Sequence, residues 1–160
     1  MGTMATADIR KGETFKVEVR RVIRASRQRV FAAWTNPEEL RKWLAPGPMS
    51  VVRAETDTLV GGKYRIEFKG SMDGLPENAE RRMSVAGEYT ALVPNELVSF
   101  TWRPDWNPED ESTVTVRLRD VEGGTEMQFT HERINTEAAS QGYTRGWTSC
   151  FEKLDAAVGR

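Results

Sequence analysis

The feature that most constrains this chain is a change in the period of its hydrophobic pattern. Between residues 49 and 133, apolar side chains recur at every second position in one segment after another. From Tyr143 onward, Trp147, Cys150, Phe151, Leu154 and Val158 fall three and four apart. Alternation puts apolar side chains on one face of a strand, and spacings of three and four put them on one stripe of a helix. A succession of strands carries one apolar face that must be covered, and a terminal amphipathic helix is the element available to cover it. The expected class is α+β, an antiparallel sheet with a long C-terminal helix against it.

The local signals fill in the order. Residues 14 to 24 alternate, with Phe15, Val17 and Val19 opposite Lys16, Glu18 and Arg20. Ser26 then offers an N-cap for a short helix with Val30, Phe31 and Trp34 on one side. Asn36-Pro37-Glu38-Glu39 restarts it as a second piece: a cap, a proline at the first helical position and acids in the first turn. Pro46-Gly47-Pro48 ends that piece. Strands are predicted over residues 49–57, 63–69, 82–92, 97–103, 112–121 and 125–133, with turns at Gly61-Gly62, Pro94-Asn95 and Gly123-Gly124. Gly87, inside a strand, predicts a bulge or a bend. Residues 70–80 and 104–111 read as polar loops. Thr136 is the cap expected for the last helix, which carries Gly142 and Gly146 in its interior. Each costs a helix about 0.8–1.0 kcal/mol against alanine, which is repaid by close approach to the sheet or room for a ligand, or else marks a helix start that frays.

The chain has 160 residues, a length that suits one domain, here residues 14–160 after a flexible N-terminus of residues 1–13. At this size a chain buries roughly 68–70% of the surface it exposes when unfolded, so neither disulfide nor metal is needed. Cys150 is the sole cysteine, so no intrachain disulfide can form, which agrees with a reducing compartment. Net charge is −1 without a block of like charge, which points away from nucleic acid and membrane surfaces. No apolar run reaches the length of a membrane span, and the first residues lack the apolar core of a signal peptide, with Met4 a second candidate start. Cytoplasmic location is the expectation.

Three stretches resemble a known superfamily. The first is Ile23-Arg24-Ala25-Ser26-Arg27-Gln28-Arg29-Val30-Phe31 with Trp34-Thr35-Asn36-Pro37-Glu38-Glu39-Leu40 and Trp43. The second is Gly61-Gly62-Lys63-Tyr64-Arg65, then Gly87-Glu88-Tyr89 and Pro94-Asn95-Glu96-Leu97-Val98-Ser99-Phe100-Thr101-Trp102. The third is Gly146-Trp147 with Cys150, Phe151 and Leu154. In order and spacing the chain resembles the START-like, birch-pollen-allergen-like (SRPBCC) domains, and within them the family named after the activator of heat-shock protein 90 ATPase. The resemblance implies a helix-grip fold, a curved sheet wrapped around the C-terminal helix with an apolar pocket between them. Members of the superfamily carry lipids, bind hormones or catalyse cyclisation and dehydration of polyketides. The expectation from the 160 residues is that they hold no counterpart of the separate chaperone-binding domain of the eukaryotic activator.

The residues themselves narrow the chemistry. One histidine and one cysteine, His131 and Cys150, do not make a transition-metal site, and the acids of residues 105–111 lack the glycine of a calcium loop. Phosphate-binding and dinucleotide fingerprints are absent, and no serine lies in a nucleophile elbow. No cofactor is expected. His131 shares strand parity with Met127 and Phe129, which aims it at the cavity, as a group that orients a ligand or moves a proton, or leaves it at the rim as a structural histidine hydrogen-bonded to a loop, the favoured of the two readings. Cys150, on the buried stripe, reads as a small hydrophobe. Arg65, Glu67, Arg117 and Arg119 alternate opposite the apolar residues and read as solvent-facing pairs.

The leading expectation is a small-molecule-binding module with an apolar or aromatic ligand between sheet and helix. Phe68, Phe100, Trp102, Met127, Phe129, His131, Tyr143, Trp147 and Phe151 would line its cavity, with His131 and Tyr143 as orienting polar groups. An enzyme on the same cavity is the second expectation: a cyclase or lyase with His131 as acid/base and Tyr143 as donor to an oxyanion. The third is a chaperone partner or regulator contacting proteins through the polar loops. Free strand edges also allow a homodimer.

Overall fold

The computed structural model describes residues 14–71 and 80–159. The expectations for residues 1–13, and for most of the loop expected over residues 70–80, lie outside them.

The chain runs β1 (Phe15–Ile23), α1 (Arg27–Thr35), α2 (Pro37–Leu40), β2 (Ser50–Thr56), β3 (Lys63–Gly70), β4 (Arg81–Val93), β5 (Leu97–Pro104), β6 (Ser112–Val121), β7 (Gly124–Ile134) and α3 (Glu137–Val158). All strands pair antiparallel in one seven-stranded sheet of order β1-β7-β6-β5-β4-β3-β2. From β2 to β7 each strand lies beside the next in sequence. Only β1 is placed by a distant partner, β7, and the two short helices connect one sheet edge to the other. This is the helix-grip architecture: a curved sheet holding a long C-terminal helix.

The caps sit where the sequence places them. Ser26 Oγ accepts from the Arg29 N–H at 3.2 Å, Asn36 Oδ1 from the Glu38 N–H at 2.9 Å and Thr136 Oγ1 from the Ala139 N–H at 3.1 Å. Asn36 also closes α1, its own N–H donating to Ala32 O at 2.8 Å, so one residue ends one helix and starts the next.

Strand parity sets the core. Val98, Phe100 and Trp102 on β5, Val114, Val116 and Leu118 on β6, and Met127, Phe129 and His131 on β7 are all buried. Trp34 of α1 sits among them, edge-on to Trp43 at 4.7 Å and within about 6 Å of Phe129 and Phe151. On α3, Phe151, Leu154 and Val158 are at most 1% exposed. Burial of each such side chain contributes about 1.5–3 kcal/mol. Gly87 marks a close approach rather than a free turn: a Cβ there would lie 2.0 Å from Thr101 O. The register shift on β4 falls just beyond it, between Tyr89 and Ala91.

The C-terminal half of α3 is pinned. Arg21 on β1 grips Asp155 at 2.6 and 2.9 Å. Arg29 on α1 donates to the Ala157 and Val158 carbonyls, and Lys153 donates to Ala45 O at 2.6 Å and Met49 O at 3.0 Å. The N-terminal half borders open space. Among the described residues, no helix is long and apolar enough to cross a membrane.

Candidate functional site

A cavity of about 540 Å³ lies between the N-terminal half of α3 and the sheet. Phe68 of β3, Met83 of β4 and Trp102 of β5 form its sheet side. Leu44, Pro46 and Met49 close it from the segment after α2, and Trp106, Asn107 and Asp110 from the loop after β5. Helix α3 contributes Ala139, Gly142, Tyr143, Gly146, Trp147 and Cys150. The exposed Arg145 and Trp106 stand at the rim. The volume is within the range of small-molecule sites, and the wall is overwhelmingly apolar.

The two helix-interior glycines explain the space. A Cβ at Gly142 would meet only the tip of Arg145, at 4.0 Å, and one at Gly146 only Pro46 Cβ, at 3.7 Å. Neither glycine is required by contact with the sheet. Both face the cavity, and any larger side chain would project into it.

Of the side chains expected to line the cavity, Phe68, Trp102, Tyr143 and Trp147 stand on its wall. Phe100, Met127, Phe129, His131 and Phe151 do not. Parity put Phe100, Met127, Phe129 and His131 on the correct face of the sheet, but Trp34, near the C-terminal end of α1, covers the first three, Tyr143 and Trp147 of α3 cover His131, and Phe151 of α3 packs against Trp34 and Phe129. Phe100 borders a separate void of about 10 Å³ behind Trp102, too small for a ligand.

His131 is wholly buried, and both its ring nitrogens are occupied. The Trp147 indole can only donate, and its Nε1–H meets His131 Nδ1 at 3.0 Å. Nδ1 is therefore the bare nitrogen, and Nε2 carries the proton and donates to Ser112 Oγ at 2.7 Å. Burial lowers the imidazole pKa from 6.5 to about 3, so the ring is neutral at physiological pH. Its ring centre is 4.4 Å from that of Tyr143, but the histidine packs behind the wall and Tyr143 stands on it. This imidazole ties β6, β7 and α3 together. Without a nitrogen on the cavity it is not placed to exchange protons with a ligand.

Burial also pushes the Cys150 thiol up to about 12, with Lys153 offsetting only part of that, so the sulfur stays protonated. The Tyr143 phenol rises to about 12 for the same reason, eased by the Trp102 N–H nearby. Asp110 is 2% exposed, with Oδ1 accepting from the Asn135 N–H at 3.2 Å. Its carboxyl pKa is raised by burial. Among the described residues no group of three or more His, Cys, Asp or Glu is placed to hold a metal.

The family model described as activator of Hsp90 ATPase homolog 1-like protein matches residues 24–159. The chain belongs to this family. A Chromobacterium violaceum protein of known structure is 27% identical, covering 91% of this chain and 97% of its own, with a TM-score of 0.79. One from Rhodobacter sphaeroides is 25% identical over 88% and 90%, with a TM-score of 0.73. A Silicibacter pomeroyi protein that carries the family's name is 21% identical over 89% and 96%, with a TM-score of 0.72, and shares the fold. No curated protein matches.

Strand and helix periodicity reached only part of the remaining wall: Met83 and Cys150 lie in the expected strand and helix, whereas Met49, expected to open a strand, precedes β2, which begins at Ser50. Leu44, Pro46 and Met49 belong to an irregular segment. Trp106, Asn107 and Asp110 lie in a loop that reads as solvated because it is polar, yet it folds back and buries Asp110. Trp106, a tryptophan inside a polar loop, is the sequence signal that could have found this part of the wall, beside the glycine pair inside the helix.

Proposed function

We propose that this protein binds a predominantly apolar small molecule in the cavity beside α3. The observation that carries the reading is the glycine pair. Gly142 and Gly146 sit inside a 22-residue helix at a cost of about 0.8–1.0 kcal/mol each, and the space their missing side chains leave is cavity. Packing gives no return for that cost, whereas a ligand would. Affinity would come from burying apolar surface against Phe68, Trp102, Trp106 and Trp147, at about 25 cal/mol per Å² before the costs of ordering. The position of His131 favours binding over acid–base chemistry through that residue.

The test compares wild-type protein with Gly146→Leu, which fills the cavity from the helix. Nile red should bind the wild type with a blue-shifted emission and be lost in the variant, while the variant melts no lower. Native mass spectrometry of freshly purified protein should find an added small mass that leaves on denaturation. Equal dye binding by both proteins would refute the cavity as the site.

A further inference from the structure

Apart from Asn107 and the exposed Arg145, the polar groups on the cavity wall are Trp102, Tyr143 and Asp110, and their chemistry specifies the ligand further, given that the cavity is a binding site as proposed above. The Trp34 N–H donates to Met127 Sδ, that of Trp43 to Ala33 O and that of Trp147 to His131 Nδ1. The Trp102 N–H is buried and has no partner. A donor taken out of water and left unpaired is costly and is retained only where something repays it.

Trp102 borders the cavity and is fixed by its neighbours, with Trp147 at 5.0 Å and His131 at 5.7 Å between ring centres. Tyr143 stands next to it, edge to face at 6.3 Å. The groups bearing on the Tyr143 proton are its burial, the Trp102 N–H and the Asp110 carboxyl. The phenol is therefore protonated at neutral pH, with the indole N–H near enough to ease that rise yet without a hydrogen bond of its own. A turn of the phenol toward the indole would let its oxygen accept from that N–H, leaving the phenolic O–H to donate to a ligand, strengthened by the donor behind it.

Two donors in series at one end of an apolar cavity call for an acceptor. A carbonyl oxygen is the simplest acceptor, with two lone pairs and no proton of its own to place. Asp110 puts a buried carboxyl on the same lining, which disfavours an anion beside it, while Arg145, the cation on that lining, is exposed to solvent. The aromatic faces of Trp102, Trp106 and Trp147 favour a flat, ring-bearing body. We infer that the cavity takes a neutral, ring-bearing carbonyl compound whose oxygen accepts a hydrogen bond from the Tyr143 hydroxyl, with Trp102 positioning that hydroxyl and Asp110 excluding carboxylates.

Equilibrium dialysis of the full chain against three probes on one ring system separates the parts of this claim: methyl naphthyl ketone, ethylnaphthalene and naphthoate. Wild type should hold the ketone about fivefold more tightly than the hydrocarbon, the scale of one hydrogen bond, and naphthoate most weakly. Tyr143→Phe should make ketone and hydrocarbon equal without weakening the hydrocarbon. Trp102→Phe should reduce the ketone's advantage, and Asp110→Asn should strengthen naphthoate alone. Wild-type protein that binds ketone and hydrocarbon equally, or naphthoate as tightly as the ketone, overturns the inference while leaving the cavity as a binding site. Failure of wild type to bind either neutral probe removes the binding reading and this inference with it. The wild-type comparison needs no variant to fold.

Discussion

His131 owes its low basicity to its place on β7, under α3 and with both nitrogens satisfied. The folded-state pKa of about 3 lies below the ordinary 6.5, so the unfolded chain binds a proton that the folded one refuses. Stability is therefore full above the unfolded value and is lost as pH falls from about 6.5 toward about 3. Between about pH 7.5 and about pH 5 the loss should be about 2 kcal/mol, or about 4–8 °C in melting temperature. It is the sole histidine, so thermal melts of His131→Gln should lack this slope even though the variant starts less stable. Asp110 has the opposite sign. Its raised pKa means that the ionised form burdens the fold as pH rises through the folded value. Asp110→Asn, which keeps an oxygen for the Asn135 N–H, should melt no lower than wild type at neutral pH.

At the scale of the element, α3 divides into a pinned half and a bordering half. Its C-terminal turns bury Phe151, Leu154 and Val158 and are held by Arg21, Arg29 and Lys153. Its N-terminal turns carry the glycines and face the cavity. Gly142→Ala and Gly146→Ala should each raise stability by about 0.8–1.0 kcal/mol in denaturant titration, because neither new methyl meets a neighbour closer than 3.7 Å. The same changes should weaken Nile red binding, a trade that a merely inefficient helix would not make. Gly87→Ala on β4 should do the reverse. A methyl 2.0 Å from Thr101 O must push β4 from β5, and the expected loss is about 2 kcal/mol or more.

Across the whole molecule, the sheet is continuous from β2 to β1, and the helices close its concave face unevenly. Where α1 and the C-terminal half of α3 meet the sheet, aromatic side chains fill the space. Where the N-terminal half of α3 meets it, they do not. Local opening should follow that division. In hydrogen exchange, amides of β5, β6, β7 and the last turns of α3 should open only with global unfolding, and amides near residues 138–146 earlier. A bound ligand should slow the latter group first.

Periodicity and capping determined the elements of this protein. The period-two runs gave seven strands in order. Ser26, Asn36 and Thr136 gave the helix starts, and the stripe from Trp147 to Val158 gave the buried face of α3, because these are local consequences of backbone geometry. The resemblance carried by the quoted stretches gave the grip of sheet on helix, and the glycine pair in α3 hinted at the space beside it. The site's composition was not local. Parity says which face of a sheet a side chain occupies but not what covers that face: Phe129 and His131 share the face of Trp102, yet Trp34 of α1 covers the first and Tyr143 and Trp147 of α3 cover the second. The return of the loop after β5, which brings Trp106 and Asp110 onto the wall, depends on contacts between segments distant in sequence. Whether a histidine is a proton donor or a buried strut is decided by whether its nitrogens find partners, and here Ser112 and Trp147 supply both.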